Sequence, residues 1–357
     1  MSAVMSMPVK EARPSIEIEG KDAATLASSL LNLDIIDSDD GLARCELLLG
    51  NWGGPEKSGF QHFDRSQIEF GKIIKVKLAN DTLFEGRISA INARFLDGGP
   101  PQIGVCAEDR LQDLRMARHT RCFAEATLGD VVQHIANEHG LQVQIDLNGP
   151  QHKVLAQMNQ SDLAFLRDAA RREDAQIWVE NTILKVAARS RRNGGSVELV
   201  WPGGGVREFR VSADLAHQRT NLIATGWDVT SKQAARYEAD EAAIRAELND
   251  GDSGMATLLS AFGKRADTLA HGLPCNSSEA RTLAEASLRH LARRFVVGQG
   301  IAETQIALRV GAKIKLSGLG PLFEGEYTLT FIHHRFDKSG MRTEFRCDRP
   351  SLGKGSA

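Results

Sequence analysis

Four histidines of this sequence stand in pairs whose spacing could suggest a metal site. His333 and His334 are adjacent in a stretch that alternates like a β-strand, so their side chains point to opposite faces of a sheet. His134 and His139 are five residues apart on a predicted helix, whereas a shared helical face needs a spacing of three or four. The spacing of these histidines therefore predicts structural or surface roles and no metal site.

Two glutamates are the remaining candidates for acid–base chemistry. A glycosidase needs a Glu in a partly apolar cleft and often a second carboxylate roughly 5 to 10 Å away. Glu138 and Glu173 lie near the ends of predicted helices, but nothing around them in the sequence marks either as catalytic. The Gly-x-Ser-x-Gly motif of a serine nucleophile does not occur either. The sequence therefore predicts no catalytic residue, and we expect a protein that is not an enzyme.

Three loop-like segments could be mistaken for ligand sites. Asp37, Asp39 and Asp40 lack the order and the distal Glu of a calcium loop, so an acidic turn is the better interpretation. The glycine-rich segment 202–205 lacks the Lys-Ser/Thr of a phosphate loop, and segment 318–320 is not followed by a helix. We therefore expect no cofactor.

Composition excludes several classes of protein. The 357 residues carry 44 basic and 46 acidic side chains, a balance that gives no general attraction to nucleic acid or to an anionic membrane. The five cysteines are scattered without a Cys-x-x-Cys pair, which disfavours a zinc ribbon or a disulfide framework. No secretory signal and no apolar run of about 18 residues occurs, so we expect no membrane insertion. We expect synthesis in the cytoplasm and export only as part of a larger particle.

The chain is too long for one ordinary core, and its patterns divide it into four parts. Residues 1–120 alternate like strands, notably at 73–78. One short helix is predicted among them, which Asp22 could cap and whose apolar face would consist of Leu26, Leu30 and Leu33. Residues 191–350 are again rich in strands, with an Ala-, Glu- and Arg-rich stretch at about 231–297 that predicts a helical insertion. Residues 351–357 form a tail.

Between these parts, residues 121–190 predict a small α/β module. Thr127 can cap one helix at its start, and Gly140 can end it in a left-handed conformation. A second helix begins near Ser161, and a hairpin turns around residues 181–182.

A short pattern occurs once near each end of the chain. It consists of an amphipathic strand, a Phe-Glu-Gly segment and an Arg-Phe pair, at residues 75–78, 83–86 and 94–95 and again at 313–316, 322–325 and 335–336. We interpret Gly86 and Gly325 as structural turns, because glycine permits a bend or a bulge that a β-carbon would resist. The fold class is therefore predicted as α+β, with two related β-barrel domains, the α/β module and the helical insertion.

Duplication has a consequence for symmetry. Three chains that each contain two similar domains can form a ring with true three-fold and approximate six-fold symmetry. The sequence thus permits a trimeric ring that joins a six-fold structure to a three-fold one.

The chain resembles the late control protein D family of contractile phages, the baseplate hub family that also forms the hub portion of VgrG-like proteins. The resemblance is carried by residues 159–167 and 177–179, and by 310–314, 325–329, 333–336 and 343–345 near the C-terminus. It covers most of the chain, which ends soon after the second predicted barrel, without room for an OB domain or a spike β-helix.

The resemblance implies a homotrimeric baseplate hub of a contractile, phage-tail-like injection system, without catalytic, cofactor or metal residues. It implies as partners the tail tube and its initiator proteins, other baseplate proteins, and a central spike formed by a separate chain. The protein would become part of a virion or an extracellular particle.

Two alternatives from other classes remain. A cell-wall-binding or peptidoglycan-hydrolysing tail-tip protein would need a catalytic constellation that the sequence does not reveal. A carbohydrate- or host-binding tail protein would favour exposed aromatic clusters, and only 6% of the residues are aromatic.

Overall fold

Antiparallel strands make up most of the fold. The computed structural model describes residues 13–39, 41–53, 59–249 and 251–354. The strands are β1 Ser15–Ile18, β2 Lys21–Asp22, β3 Leu30–Ser38, β4 Arg44–Gly50, β5 Ile73–Leu78, β6 Asp81–Arg94, β7 Gln102–Glu108, β8 Arg118–Ala126, β9 Gln142–Asp146, β10 His152–Ser161, β11 Ala175–Glu180, β12 Ile183–Ala188, β13 Ser196–Val200, β14 Val206–Ala213, β15 Asn221–Asp228, β16 Gln233–Ala239, β17 Asp252–Ser253, β18 Ala266–Thr268, β19 Val296–Glu303, β20 Lys313–Ser317, β21 Gly325–Asp337, β22 Gly340–Arg349 and β23 Ser351–Leu352.

Helices are few and mostly short. The α-helices are α1 Ala24–Ser29, α2 Leu128–Glu138, α3 Asp162–Arg172, α4 Gly254–Phe262 and α5 Ser277–Arg293. Short 3-10 turns lie at Arg110–Arg115, Arg189–Arg191, Glu241–Ala243 and Arg245–Glu247. None of the helices in the described ranges is long and apolar enough to cross a membrane.

One large sheet runs through the molecule in the order β14-β19-β22-β21-β3-β4-β7-β6-β5-β1-β2, with β20 beside β21 and β13 beside β20. We call strands β1–β7 the first lobe, and β13, β14 and β19–β22 the second lobe. Each lobe has its own apolar core, since the inward residues of its strands form separate buried clusters. The pairing of β3 with β21 joins the lobes.

The two predicted barrels are not confirmed. Within the described residues the strands form one open sheet that ends at β2 on one side and at β14 on the other. The alternation of apolar and polar residues that favoured a barrel is equally satisfied by an open sheet, because both bury one face of each strand.

The predicted α/β module is present, with its core beneath α2 and α3. Thr127 and Asp130 form a reciprocal capping box at the start of α2, and Gly140 follows the helix with a φ of 63°. Ser161 caps α3, and the β11–β12 hairpin turns at Asn181 with a φ of 55°. These local predictions are confirmed because caps and tight turns depend on near neighbours.

Two other predictions of local structure are wrong. Helix α1 exists, but Ala23 precedes it without a side-chain cap, and Asp22 belongs to β2. The stretch 231–297 is not wholly helical, because β16 occupies its beginning and pairs with β15. The inward residues of β16, Ala235 and Ala239, are small and lie in one cluster with the alanines of α5. The abundance of alanine had predicted a helix in this stretch, but in β16 the alanines instead allow a strand to pack closely on a helix.

Candidate assembly interface

The two lobes repeat one arrangement of strands. In the first lobe the order is β5-β6-β7-β4-β3, and in the second it is β20-β21-β22-β19-β14. The long central strands carry a bulge at the same place, between Ile88 and Ala90 in β6 and between Leu329 and Phe331 in β21. A second shared bulge lies between Leu30 and Asn32 in β3 and between Val206 and Glu208 in β14.

The structure refines the alignment of the sequence repeat. The bulge begins at Ile88 in β6 and at Leu329 in β21, and Arg94 and Arg335 each lie six residues later. The two arginines are therefore equivalent, as the repeat predicted. The preceding strand pair is offset by two residues, because the register places Lys75 opposite Glu85 and Lys315 opposite Glu326. An offset of two keeps every side chain on its face, so the sequence pattern alone could not reveal it.

Neither predicted glycine turn lies at the tip of its hairpin. Gly86 lies inside β6, opposite Ile74, and a β-carbon there would come within 2.5 Å of the Glu108 carbonyl oxygen. Gly86 therefore allows a close approach of two strands, which corrects its prediction as a turn. Gly325 begins β21 with a φ of 128°, a conformation that favours glycine, and the guanidinium of Arg349 lies nearby.

The junction between the lobes is well packed and polar at selected points. Strand β3 runs antiparallel to β21, with Leu33 opposite Phe336 and Ser38 opposite Phe331. On one face, His333 Nε2 donates to Asp34 Oδ1 at 2.8 Å, and Arg335 Nε lies 3.4 Å from the same oxygen. The adjacent histidines thus do point to opposite faces.

His334 lies on the buried face of this junction. Its side chain is 2% exposed, and Nδ1 hydrogen-bonds with Thr343 Oγ1 at 2.7 Å. Burial, with the nearby charges of His333 and Arg309, lowers the pKa of His334 to about 4. A neutral imidazole is therefore part of the junction at neutral pH.

Among the described strands, the equivalent edges elsewhere have no partner strand. Residues 90–94 at the outer half of β6 correspond to the part of β21 that β3 covers, yet most of them are exposed. Strand β14 corresponds to β3, and it pairs only with β19 among the described strands, with Arg207, Glu208 and Arg210 exposed. Unpaired strand edges offer free backbone groups to another strand.

An aromatic cluster continues from the end of β6. Trp52, Phe60, Phe63 and Phe95 form it, with Phe60 and Phe63 stacked at a centroid distance of 4.8 Å and Phe95 within 6.4 Å of Phe60. These rings are 39% to 66% exposed. Large exposed apolar patches mark interaction sites. This patch was not predicted from the sequence, because a low overall aromatic content does not show which rings the fold brings together.

Ion pairs join the α/β module to α5 and to the second lobe. Arg293 of α5 is 2% exposed, and its guanidinium bonds Asp174 of the α/β module at 2.7 Å and Glu247 at 2.6 Å. Arg189 bonds both oxygens of Asp348 at 2.8 Å, which ties the module to β22. Removing one partner of a buried pair such as Arg293–Asp174 would leave an uncompensated charge, which is strongly destabilising.

The carboxylates considered for catalysis both have ionic or hydrogen-bonding partners. Glu138 pairs with Arg121 at 2.7 Å, and that interaction lowers the pKa of Glu138. Glu173 Oε1 accepts from His152 Nε2 at 2.9 Å, and this bond raises the pKa of His152. His134 and His139 bind different carboxylates, Glu138 at 3.2 Å and Asp162 at 2.9 Å.

The predicted acidic turn is divided by the structure. Asp37 lies near the end of β3, where desolvation raises its pKa to about 6, and desolvation likewise raises the pKa of the half-buried Asp109 to about 7. Asp39 accepts a hydrogen bond from Gln176 at 3.3 Å, and Asp40 lies outside the described residues. Across the described ranges, no group of three or more His, Cys, Asp or Glu side chains is placed to hold a metal ion.

Sequence comparison gives the chain a family. A family profile described as the Alg8 N-terminal domain matches residues 10–338, which is most of the chain. The chain belongs to the Alg8 N-terminal domain family. This match does not confirm the late control protein D family as such. No curated protein sequence matches the chain.

The Alg8 N-terminal domain of this chain is similar in fold to several solved structures. The 43 kDa tail protein of prophage MuSo2 from Shewanella oneidensis is 11% identical, with 95% of this chain and 98% of that chain covered at a TM-score of 0.69. A tail protein from Neisseria meningitidis MC58 is 13% identical, with 94% and 96% covered at 0.67.

A third similar structure is the c3393 protein of E. coli, a component of the type VI secretion system that is itself similar to the T4 bacteriophage tail proteins gp27 and gp5. It is 13% identical, with 96% of this chain and 79% of that chain covered at a TM-score of 0.57. At these identities the likeness is one of fold, so the Alg8 N-terminal domain has the fold of phage-tail and secretion-system proteins.

Proposed function

We propose that this protein is a structural, non-enzymatic baseplate hub of a contractile phage-tail-like injection system, which joins a six-fold tail tube to a three-fold central spike. The observation that carries the proposal is the repeated strand order of the two lobes within one chain. The fold similarity to tail proteins and to a type VI secretion component supports it.

The repeat supplies the symmetry that such an adaptor needs. A homotrimer contains six lobes, so it presents an approximate six-fold surface to a tube while remaining a true three-fold object for a spike. The Arg189–Asp348 pair ties the α/β module to the second lobe, and the Arg293–Asp174 pair ties α5 to that module, so paired charges join these three parts of each chain.

The proposed partners follow from this role. They are two further copies of the chain, a separate spike chain, the tube with its initiator proteins, and neighbouring baseplate proteins. The near-neutral balance of 44 basic and 46 acidic residues supports protein partners rather than nucleic acid. The protein would be made in the bacterial cytoplasm and would act within a virion or an extracellular particle.

The test is the solution mass of the purified chain, alone and with a candidate spike chain. A trimer of the 38.9 kDa chain has a mass of 116.7 kDa, and we expect it with a central hole in electron micrographs. A monomer under both conditions would remove the adaptor mechanism. Turnover of purified peptidoglycan by the chain, abolished by one Glu→Gln change, would favour a wall hydrolase in its place.

A further inference from the structure

We infer that β14 of one chain pairs with the outer half of β6 of a second copy, in the register that β3 and β21 adopt within the chain. The inference rests on the proposed function, since it presumes a ring of identical chains, and it specifies the interface between them. Each ring would then contain six similar junctions, three inside the chains and three between them.

The internal junction defines the geometry. Strand β3 belongs to the first lobe and β21 to the second, so their pairing already joins two unlike strands of the repeat. The equivalent of β3 is β14, and the equivalent of β21 is β6. A ring in which every junction is alike therefore requires β14 to pair with β6 as β3 pairs with β21. Within one chain β14 and β6 lie far apart in the sheet, so the two strands must come from neighbouring chains.

The registers of neighbouring strands fix which residues would face each other. Arg94 is equivalent to Arg335, because each lies in the same position after the shared bulge and opposite β7 or β22. Arg210 is equivalent to Asp34, because β14 on β19 repeats β3 on β4 with its bulge. The interface would therefore place Arg210 opposite Arg94, and Phe209 opposite Phe95.

Both edges are ready for a strand. Residues 90–94 of β6 and all of β14 have a free side in the described part of the chain, and the described turns and loops add no backbone hydrogen bond there. In the covered counterparts, Ile332 and His334 of β21 are buried, whereas Ile91 and Ala93 at the open edge are at least partly exposed. The difference in burial between equivalent residues is what a missing partner strand produces.

The aromatic cluster extends the same surface. Phe336 of the second lobe packs against the core of the first lobe. Its equivalent, Phe95, is 66% exposed and stands among the aromatic rings at the end of β6. In the inferred register Phe95 would pack against the second lobe of the next chain beside Phe209, which would cover the exposed rings.

One pair in this interface opposes assembly. Asp34 and Arg335 attract each other in the internal junction, where Nε and Oδ1 are 3.4 Å apart. At the equivalent position between chains, two arginines would stand opposite each other, and like charges directly across a sheet are destabilising. The junction between chains is therefore weaker than the internal one, and added salt should strengthen it by screening.

A disulfide test examines the register. Cys122 and Cys275 are the exposed native cysteines in the described residues, so both are first changed to Ser. In that background, Arg94→Cys and Arg210→Cys chains are mixed and oxidised, and we expect a disulfide-linked dimer that neither variant forms alone. Combining both changes in one chain should give linked trimers.

Two controls make this test specific. Asp34→Cys with Arg335→Cys should form the equivalent bond inside one chain, since these residues face each other. Arg94→Cys mixed with Val211→Cys should not link, because neighbouring residues of a strand point to opposite faces. A 116.7 kDa trimer without the Arg94–Arg210 link would overturn the register and leave the proposed hub function standing.

A charge change that should strengthen assembly tests the same contact. Arg210→Asp restores the charge pattern of the internal junction, and we expect the association constant of each interface to rise about fivefold. Adding Arg94→Asp should reverse this gain. A trimer that Arg210→Asp weakens or leaves unchanged would contradict the inferred pairing, and no trimer at any salt concentration would remove both the pairing and the hub.

Discussion

The junction of β3 with β21 can be compared with the open edges of β14 and β6, which hold the equivalent positions in the repeat. Strand order and bulge positions agree, yet the junction buries Leu33, Ile35 and His334, while their equivalents at the edges are less covered: Phe209 and Val211 are half-buried and Ala93 is exposed. Burial in this fold is therefore set by the presence of a neighbouring strand as well as by the strand itself.

The largest expected effect comes from removing packing in the junction. Ile35 is 2% exposed in β3, so Ile35→Ala should lower the free energy of unfolding by about 2–5 kcal/mol. The equivalent Val211→Ala in β14 removes a half-buried side chain and should cost less than about 1.5 kcal/mol in the monomer. Chemical unfolding of both variants would measure the difference, and equal losses would break the comparison.

The second prediction concerns pH. Because the pKa of His334 in the folded chain is lowered to about 4, from 6.5 when unfolded, its stabilising contribution is present above pH 6.5 and is lost as pH falls. The advantage of the native chain over His334→Gln should therefore shrink by up to about 3 kcal/mol between pH 7 and pH 4.

Unfolding of both proteins at fixed concentration across this pH range measures that change. Ala93→Gln, at the equivalent position of the open edge, is the matched control because no titrating group is lost there. A constant difference between native chain and His334→Gln over the range would show that this imidazole is not held neutral by the junction.

A smaller effect is expected at the two glycines. Gly86→Ala should destabilise the first lobe by about 1–3 kcal/mol, because its β-carbon would meet the backbone of Glu108. Gly325→Ala should cost about 1–3 kcal/mol, because a φ of 128° strains any residue with a β-carbon and the nearby Arg349 guanidinium is held by the carbonyl oxygens of Glu324 and Leu322. Gly325→Val should lower the melting temperature further. Melting curves measure all three, and a normal value for Gly86→Ala would contradict the close approach.

The sequence was informative where structure is local. The caps at Thr127 and Ser161 and the turn at Asn181 involve neighbours within a few residues, so their patterns were sufficient. The pairing of β3 with β21 brings together residues about 300 positions apart, and no local pattern contains that information. The repeat was visible, but its exact strand register was not, because alternation is unchanged by a shift of two residues.

The candidate interface was the least predictable feature. The open edges are recognised because no described strand pairs with them, and only the fold brings residues 52, 60, 63 and 95 together as an aromatic cluster. The histidines and glutamates considered in the sequence were predicted to form no metal or catalytic site, and the structure places them in hydrogen bonds and ion pairs.

The lobes also differ at their flanking strands, and this difference has a consequence for stoichiometry. Strand β1 runs antiparallel to β5 in the first lobe, whereas β13 runs parallel to β20 in the second. The two lobes therefore match in their central strands but differ in the flanking strands β1 and β13, so no rotation superposes the flanks of the two lobes. In a trimer, a protein that binds the central strands could find six nearly equal sites, whereas one that recognises β13 would find three.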